Sequence, residues 1–161
     1  MKNIVLVLLS VLISATSQAM TSQDAHEVLN AHNKFRAQHS APNLVWDTKL
    51  ADYAERYASK CKFQHSHSGY GENIAAGYPS ISTAIRAWYV EGANYSYHLP
   101  GFSYHTGHFT QLVWKSSKKL GCGYATCNGN NGTPGKYLVC EYSPAGNITN
   151  RNYFKANVLP S

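Results

Sequence analysis

Hydrophobic residues recur at helical spacing in three segments of the first half of the chain. The segments begin beside side chains that can cap a helix N-terminus: Thr21 or Ser22, Asp47, and Ser80 after Pro79. The first ends at the breaker Ala41-Pro42-Asn43, and the third loses its pattern near Gly92. The residues predicted to face inward are Ala25, Val28, Leu29, His32, Phe35, Leu50, Ala54, Tyr57, Cys61, Ile81, Ile85, Trp88 and Tyr89. The pattern therefore predicts three amphipathic helices.

From Tyr95 onward, aromatic residues and glycines replace the helical stripes. Short apolar or alternating runs at Val113, Leu120–Cys127 and Lys136–Tyr142 predict strands. The segments predicted to be loops or turns, because they are rich in glycine and small polar residues, are 64–80 and 128–132. The tail, 148–161, is predicted to be mostly irregular. Helices first and strands later predict an α+β domain rather than alternating parallel units.

The segment Gly107–Trp114 carries polar side chains on both faces when it is read with alternation. One face takes Phe109 and Gln111, and the other takes His108 and Thr110. Such a segment is expected beside a wet pocket rather than deep in a core. A neutral imidazole at its start can bind a divalent metal or exchange a proton near neutral pH.

The length and the N-terminal residues indicate one secreted domain. Residues 1–19 have the pattern of a secretory signal peptide, with Lys2, an apolar run from Ile4 to Ile13, and small residues at Ser17-Gln18-Ala19. The domain is then expected to span residues 20–161. The net charge of +6 is scattered, so we expect a soluble monomer that does not bind nucleic acid. Lys115, Lys118 and Lys119 form a small basic group that can touch a membrane or cell-wall surface.

Four cysteines remain in the domain: Cys61, Cys122, Cys127 and Cys140. An even number in a secreted chain predicts two disulfides, and three pairings are possible. The spacing lacks the paired C-x-x-C of a structural zinc site. Secretion also makes three Asn-x-Ser/Thr sequences candidate glycosylation sites, at Asn94, Asn131 and Asn147.

Two imidazoles and two carboxylates stand out near the glycine-rich segments: His65, Glu72, Glu91 and His108. If these four side chains converge, they make a divalent-metal or acid–base site. The alternative is a buried polar network that pins loops together. Neither a metalloprotease helix motif nor a nucleophile elbow occurs in the sequence.

Several motifs, in order along residues 24–158, resemble those of the CAP superfamily, which comprises cysteine-rich secretory proteins, antigen-5 allergens and pathogenesis-related proteins of the first class. The matching motifs are His32–Arg36, Leu44–Ala54, His65-Ser66, Gly71–Ala75, Gly107–Ser117, Leu120–Gly123 and Cys140–Asn147. In the last motif Glu141 stands where the family usually has Asn. The ending from Asn147 to Pro160 is most similar to secreted fungal members, including the yeast sterol-binding ones.

The resemblance implies a disulfide-stabilised three-layer α-β-α sandwich with a small antiparallel sheet. It also implies a large central cavity lined by the tetrad His65, Glu72, Glu91 and His108, whose two histidines hold zinc or magnesium. Counting from Cys61 selects His65 for this tetrad, whereas counting back from Glu72 in the shorter plant loop selects His67. The family pairs the cysteines that match Cys61 with Cys127 and Cys122 with Cys140.

The resemblance further implies a lipid-binding loop. Tyr95, Tyr97 and Phe102 have the aromatic spacing of the caveolin-binding-like loop of sterol-binding fungal members. Flat rings can cover an apolar sterol body, and tyrosine hydroxyls can meet its polar end. Alternatively, these rings only pack the loop down. Related proteins also bind fatty acids between two helices, one of which here includes Val28 and Phe35.

Three functional hypotheses follow. The first is a secreted protein, without catalysis, that binds and solubilises sterols, fatty acids or other small hydrophobic molecules. The second is a metal-dependent hydrolase that uses the tetrad. The third is a host-surface effector or a source of a signalling peptide, although Asn152-Tyr153-Phe154 departs from the ending from which plant members release such a peptide.

Overall fold

The structure, a computed structural model, describes residues 20–149 and 152–161. The predicted signal peptide, residues 1–19, lies outside the described residues. The helices are α1 Ser22–Gln38, α2 Thr48–Ala58, α3 Ile81–Val90, α4 Gly107–Val113 and α5 Tyr153–Asn157, with a 3-10 turn at Glu91–Asn94. The strands are β1 Val45–Trp46, β2 Gly71–Ala76, β3 Lys119–Asn128 and β4 Pro134–Ser143. Within these described ranges, no helix is long and apolar enough to cross a membrane.

The three predicted helices are confirmed, and each starts at its predicted cap. Thr21 accepts a hydrogen bond from the Asp24 backbone N–H before α1. Asp47 accepts two backbone hydrogen bonds at the start of α2, and Ser80 accepts one at the start of α3. These bonds satisfy donors that the first turn of a helix leaves without an intrahelical partner.

The strands form one sheet in the order β1-β3-β4-β2. β3 and β4 form an antiparallel hairpin, β2 runs antiparallel to β4, and the short β1 runs parallel to β3. Two glycines of β3 allow α2 to lie directly on this sheet. A Cβ added at Gly121 would lie 2.2 Å from the backbone nitrogen of Ala51, and one at Gly123 would lie 2.3 Å from that of Glu55.

Alternating side chains of β4 fill two separate cores, one on each face of the sheet. Leu138, Cys140 and Tyr142 join the core beneath α1, α3 and α4. Tyr137 and Val139 point to the opposite face and join the core beneath α2. Because both faces are covered by helices, the α-β-α sandwich that the resemblance implied is confirmed.

Both disulfides of the structure have the pairing that the family resemblance implied. Cys61 bonds to Cys127, which ties the end of α2 to β3. Cys122 bonds to Cys140, its direct cross-strand neighbour in the β3–β4 hairpin. Each crosslink is expected to stabilise the fold by about 2–4 kcal/mol.

Two predictions of secondary structure were wrong. Val113 ends the helix α4 and is not part of a strand. The predicted loop 64–80 contains the strand β2. The tail, which was predicted to be mostly irregular, contains the five-residue helix α5. In both β2 and α4 most residues are buried, whichever side of the element they lie on. Neither segment therefore has the regular alternation of buried and exposed positions from which a strand or a helix is predicted.

Candidate functional site

Three members of the predicted tetrad line one small cavity. His65, Glu72 and His108, together with Asn147, border a space of about 130 Å³. Glu91, the fourth member, is hydrogen-bonded to His108, with its Oε1 2.7 Å from His108 Nδ1. The His65 side chain is 57% exposed and that of His108 is 31% exposed. The two imidazoles are therefore open to solvent, whereas Glu72 is only 6% exposed and accepts hydrogen bonds as the polar-network alternative expected.

Glu91 positions His108 through the backbone as well as through the ring. Its Oε2 accepts the backbone N–H groups of His108 at 3.0 Å and Phe109 at 3.2 Å. Thr106, the residue before α4, makes no capping hydrogen bond. The Glu91 carboxylate therefore supplies the negative charge and the acceptors that the start of α4 needs.

The second pair joins His65 to Glu72. Glu72 Oε1 lies 2.6 Å from His65 Nδ1 and also accepts the backbone N–H of Ser66 at 3.0 Å. The hydrogen bond to Glu72 raises the pKa of His65 against the opposing effect of burial. Burial alone would raise the pKa of Glu72, but hydrogen bonds from His65, Glu141 and Ser66 outweigh it and lower that pKa. His67 lines the neighbouring groove instead, so the geometry selects His65 for the tetrad.

A buried arginine fixes the position of α4. Arg36 donates to the backbone carbonyls of Leu112 at 3.0 Å, Trp114 at 2.9 Å and Ser117 at 2.9 Å. Burial lowers the pKa of Arg36 to about 10, so the guanidinium remains charged at neutral pH. A positive charge at the C-terminal carbonyls of a helix is favourable, and it anchors the helix that begins with His108.

A buried hydrogen-bond chain connects β2 to α1 and to α4. The hydroxyl of Tyr142 donates to His32 Nε2 at 2.7 Å, and Asn73 Nδ2 donates to that hydroxyl at 3.2 Å and to the His108 carbonyl at 3.0 Å. His32 Nδ1 donates to the Val28 carbonyl at 2.8 Å. Burial lowers the pKa of His32 to about 4, so the ring is neutral and can accept at Nε2. The tetrad is therefore supported by buried polar side chains whose hydrogen bonds are made within the fold.

Glu141 is a further acidic residue at the site that the sequence analysis did not include among the candidates. Its side chain is fully buried, and it accepts the hydroxyl of Ser68 at 3.0 Å. The β2–β4 register puts Glu141 directly opposite Glu72. Burial, together with the hydrogen bond and the charge of Glu72, raises the pKa of Glu141 to about 9. At neutral pH Glu141 therefore holds a proton that it donates to the Glu72 carboxylate. The signal in the sequence was its departure from the Asn usual in the family.

At the place of the large central cavity that the resemblance implied, the structure has a small cavity beside an open groove. The tetrad cavity adjoins a groove of about 260 Å³, which shares His65, Glu72 and Asn147 with it and is otherwise lined by polar residues and Tyr70. A volume of about 130 Å³ lies below the usual range of small-molecule sites. The tetrad cavity is therefore too small for a sterol.

Residues 95–106 form a loop that we call the aromatic loop, and its aromatic rings lie in different surroundings. Tyr95 is only 8% exposed and packs against Tyr97 and Phe109, with ring centroids 5.0 and 5.9 Å apart. Tyr97 lines a cavity of about 310 Å³ at the ends of α1 and α3. Phe102 lines both the tetrad cavity and a separate cavity of about 300 Å³ beside α5. The three predicted sterol-binding rings therefore do not form a single surface, and Tyr95 packs the loop down.

The predicted glycosylation sites differ in accessibility. Asn94 and Asn131 are exposed. The amide of Asn147 donates to the Gly107 carbonyl at 2.8 Å and accepts the Thr110 hydroxyl at 2.6 Å. Glycosylation at Asn147 would replace one of the two hydrogens on its amide nitrogen, so Asn147 is the most constrained of the three candidates and its use stays a prediction.

Comparison with known proteins agrees with the fold and the motifs. The cysteine-rich secretory protein family, CAP, matches residues 29–142. The chain is 45% identical to Secreted protein RBT4 of Candida albicans over 86% of this chain, although it spans only 41% of that protein's length. It is 37% identical to Pathogenesis-related protein 1 of Arabidopsis thaliana, covering 91% of this chain and 93% of the relative. The crystal structure of NaASP2 with Zn²⁺ superimposes with a TM-score of 0.69 at 25% identity, over 88% of this chain and 90% of the other. The chain belongs to the CAP, or cysteine-rich secretory protein, family.

Proposed function

We propose that this chain acts outside the cell and binds small hydrophobic molecules, such as sterols or fatty acids, without catalysing a reaction on them. The main support is the cavity of about 310 Å³ at the ends of α1 and α3, which is lined by Tyr89, Val90, Tyr97 and Phe109. Its volume lies at the lower end of small-molecule sites, and its lining is mostly apolar. The name of the Candida relative, Secreted protein, supports an extracellular role.

The cavity also offers polar groups at one end, as an amphipathic ligand requires. His39 lines it, and His39 Nε2 lies 3.2 Å from the hydroxyl of Tyr89. That hydroxyl donates to Gln38 Oε1 at 2.7 Å. A sterol hydroxyl or a fatty-acid carboxyl would compete for these groups, while its hydrocarbon part covers Tyr97 and Phe109. Each 100 Å² of apolar ligand surface that becomes buried contributes about 2.5 kcal/mol before the ordering costs are subtracted.

The space between the helices themselves is already filled. Val28 is fully buried in the core, and the ring of Phe35 stacks on Tyr89 with centroids 4.0 Å apart. A fatty-acid chain would therefore enter at the ends of α1 and α3, where the cavity lies, rather than between the middles of the helices.

The test is ligand binding by matched aromatic variants. With a fluorescent sterol and a fluorescent fatty acid, Tyr97→Ser is expected to weaken binding roughly tenfold, since it removes one ring from the cavity wall. Tyr78→Ser is the control, because Tyr78 is an exposed ring that lines none of the cavities described above. No binding by the unaltered chain, or equal loss in both variants, would contradict the proposal.

A second candidate is metal-dependent hydrolysis at the tetrad, which is favoured by the convergence of two His–Glu pairs on one cavity. Each glutamate engages a ring Nδ1, which leaves the Nε2 atoms of His65 and His108 for a metal. Imidazole suits zinc better than magnesium. However, two imidazoles are one fewer than the three protein ligands of most catalytic zinc sites. Within residues 20–149 and 152–161, no group of three or more His, Cys, Asp or Glu side chains is arranged to hold an ion.

Two imidazoles alone would give at most a weakly held zinc ion, completed by solvent. His65 and His108 would hold the ion, which would lower the pKa of a bound water, and Glu72, which lines the same cavity, would serve as the base. NaASP2, of similar fold, has been crystallised with Zn²⁺. Calorimetric titration with zinc should give binding that is lost in His108→Ala. If ester, peptide and phosphate substrates all show no chelator-sensitive turnover, the hydrolase hypothesis is refuted.

A further inference from the structure

The aromatic loop exposes large apolar side chains at its tip. Leu99 is 83% exposed and Tyr104 is 90% exposed. Phe102 is also exposed, and its ring packs edge-on against Tyr104 with centroids 5.3 Å apart. Single exposed apolar residues are common on protein surfaces. Three within six residues, two of them in ring contact, form a patch of the kind that marks an interaction surface.

The same part of the chain carries no formal charge. Residues 92–114 contain no Asp, Glu, Lys or Arg, whereas 14% of the whole chain is charged. The centre of a protein–protein interface is also rich in aromatic residues and poor in charge, but it is surrounded by a polar rim. A segment free of charge and rich in Tyr, Phe and Leu instead matches the interfacial region of a bilayer, where aromatic rings with one polar end are favoured.

Positive charge lies beside this patch rather than in it. Lys155 lines the cavity of about 300 Å³ together with Phe102, Pro100 and Gly101. The chain as a whole has a net charge of +6. A basic side chain that flanks an uncharged apolar tip is complementary to anionic headgroups above a hydrocarbon layer.

We propose that the tip of the aromatic loop, Leu99 with Phe102 and Tyr104, inserts into the surface of a lipid bilayer. This rests on the proposed function, because insertion would bring the loop to the source of the ligand. The same loop carries Tyr97, which lines the cavity of about 310 Å³ to which we assign the ligand. Insertion of the tip would therefore hold one part of that cavity wall at the membrane surface.

The test uses the full chain and vesicles of phosphatidylcholine, with and without phosphatidylserine, in a flotation assay. Leu99 lines none of the described cavities, so Leu99→Asp adds a charge at the tip without altering a cavity wall. It should lower vesicle partitioning roughly tenfold or more, and Leu99→Phe should retain it. Val45→Asp adds the same charge at a residue that is 58% exposed in the edge strand β1, and it should leave partitioning unchanged.

Two further measurements separate insertion from its alternatives. In Leu99→Trp, the added indole should shift its emission to shorter wavelength with vesicles, against the background of the chain's own three tryptophans. Binding that requires phosphatidylserine, disappears in high salt and is equal in Leu99→Asp would assign the contact to basic residues and overturn the proposal. Failure of the unaltered chain to bind any of the vesicles would also overturn it.

Ligand binding from solution distinguishes this proposal from the proposed function. A fluorescent sterol presented in cyclodextrin should bind equally to the unaltered chain and to Leu99→Asp. If the sterol binds but vesicles do not, the docking surface is refuted and the lipid-binding function stands. If vesicles bind through Leu99 but neither sterol nor fatty acid binds, the docking surface stands and the lipid-binding function fails.

Discussion

Replacing Glu141 by Gln should make the protein more stable at neutral and alkaline pH. In the folded chain the pKa of Glu141 is raised to about 9 from 4.5, because the carboxyl is buried and lies against Glu72. In the unfolded chain the same group ionises near its ordinary value. Between these two pKa values the folded state holds a proton that the unfolded state has lost, so the stability falls as the pH rises through this window. Gln keeps the shape of the protonated acid and can still donate to Glu72, but it cannot ionise.

The size of the effect follows from the linkage relation. Each pH unit inside the window costs the wild-type fold about 1.4 kcal/mol relative to the variant. Between about pH 5 and pH 8 this gives an upper bound of about 4 kcal/mol, which relaxation and water entry around the buried pair reduce. We therefore expect an advantage of Glu141→Gln that is small near pH 5 and grows to about 1–4 kcal/mol near pH 8.

The assay is urea unfolding without reductant, so that both disulfides stay intact, at several pH values across this window. Asp52→Asn on α2 is the control, since it removes a carboxylate from an exposed position. Its effect should not follow the pH dependence expected for Glu141→Gln. If the advantage of Glu141→Gln does not grow with pH, or if the variant is less stable throughout, Glu141 does not hold the proton that we assign to it.

Three further predictions concern the supports of the site. Arg36→Lys should lower the free energy of unfolding in urea by about 3 kcal/mol or more, because one ammonium group cannot make all the hydrogen bonds that the guanidinium donates to the Leu112 and Ser117 carbonyls. An unchanged urea midpoint would contradict this. In the Glu141→Gln variant, where the opposing titration of Glu141 is absent, the fold should lose stability as the pH falls from about 6.5 towards 4, since His32 is buried neutral with a pKa lowered to about 4; a melting temperature of that variant that is flat over this range would refute that role. Gly123→Ala should cost more than about 2 kcal/mol, because its Cβ would strike the α2 backbone, whereas the exposed Gly132→Ala is strained only by its positive φ and should cost less.

Local signals explain why the helices of the first half were predictable. Thr21, Asp47 and Ser80 each cap a helix through hydrogen bonds to residues two or three positions away, so the information lies within one turn. The strand β2 has no such local signal. Glu72 and Asn73 interrupt its apolar pattern, and it becomes a strand because β4 pairs with it and helices cover both faces of the sheet.

The site was predictable only to the extent that family motifs name residues. The motifs identified His65, Glu72, Glu91 and His108, and the structure brings these into two hydrogen-bonded pairs. The contact of Glu141 with Glu72 depends on the β2–β4 register, which no spacing in the sequence reveals. The small volume of the tetrad cavity likewise depends on where Phe102 and Tyr104 lie in the fold, since both line it. Volumes and registers are properties of the assembled chain, which is why the sequence did not provide them.

The tetrad and the tip of the aromatic loop are attached to the rest of the fold in different ways. The tetrad is tied to the core through Arg36, Asn73 and Tyr142, all buried and all hydrogen-bonded. A change there disturbs satisfied buried polar groups and costs stability. The tip of the aromatic loop is exposed, so Leu99 can change without disturbing a buried hydrogen bond. Substitutions at the exposed tip of the loop should therefore alter the proposed membrane contact at little cost to the fold, whereas changes in the tetrad also disturb the buried groups that support it.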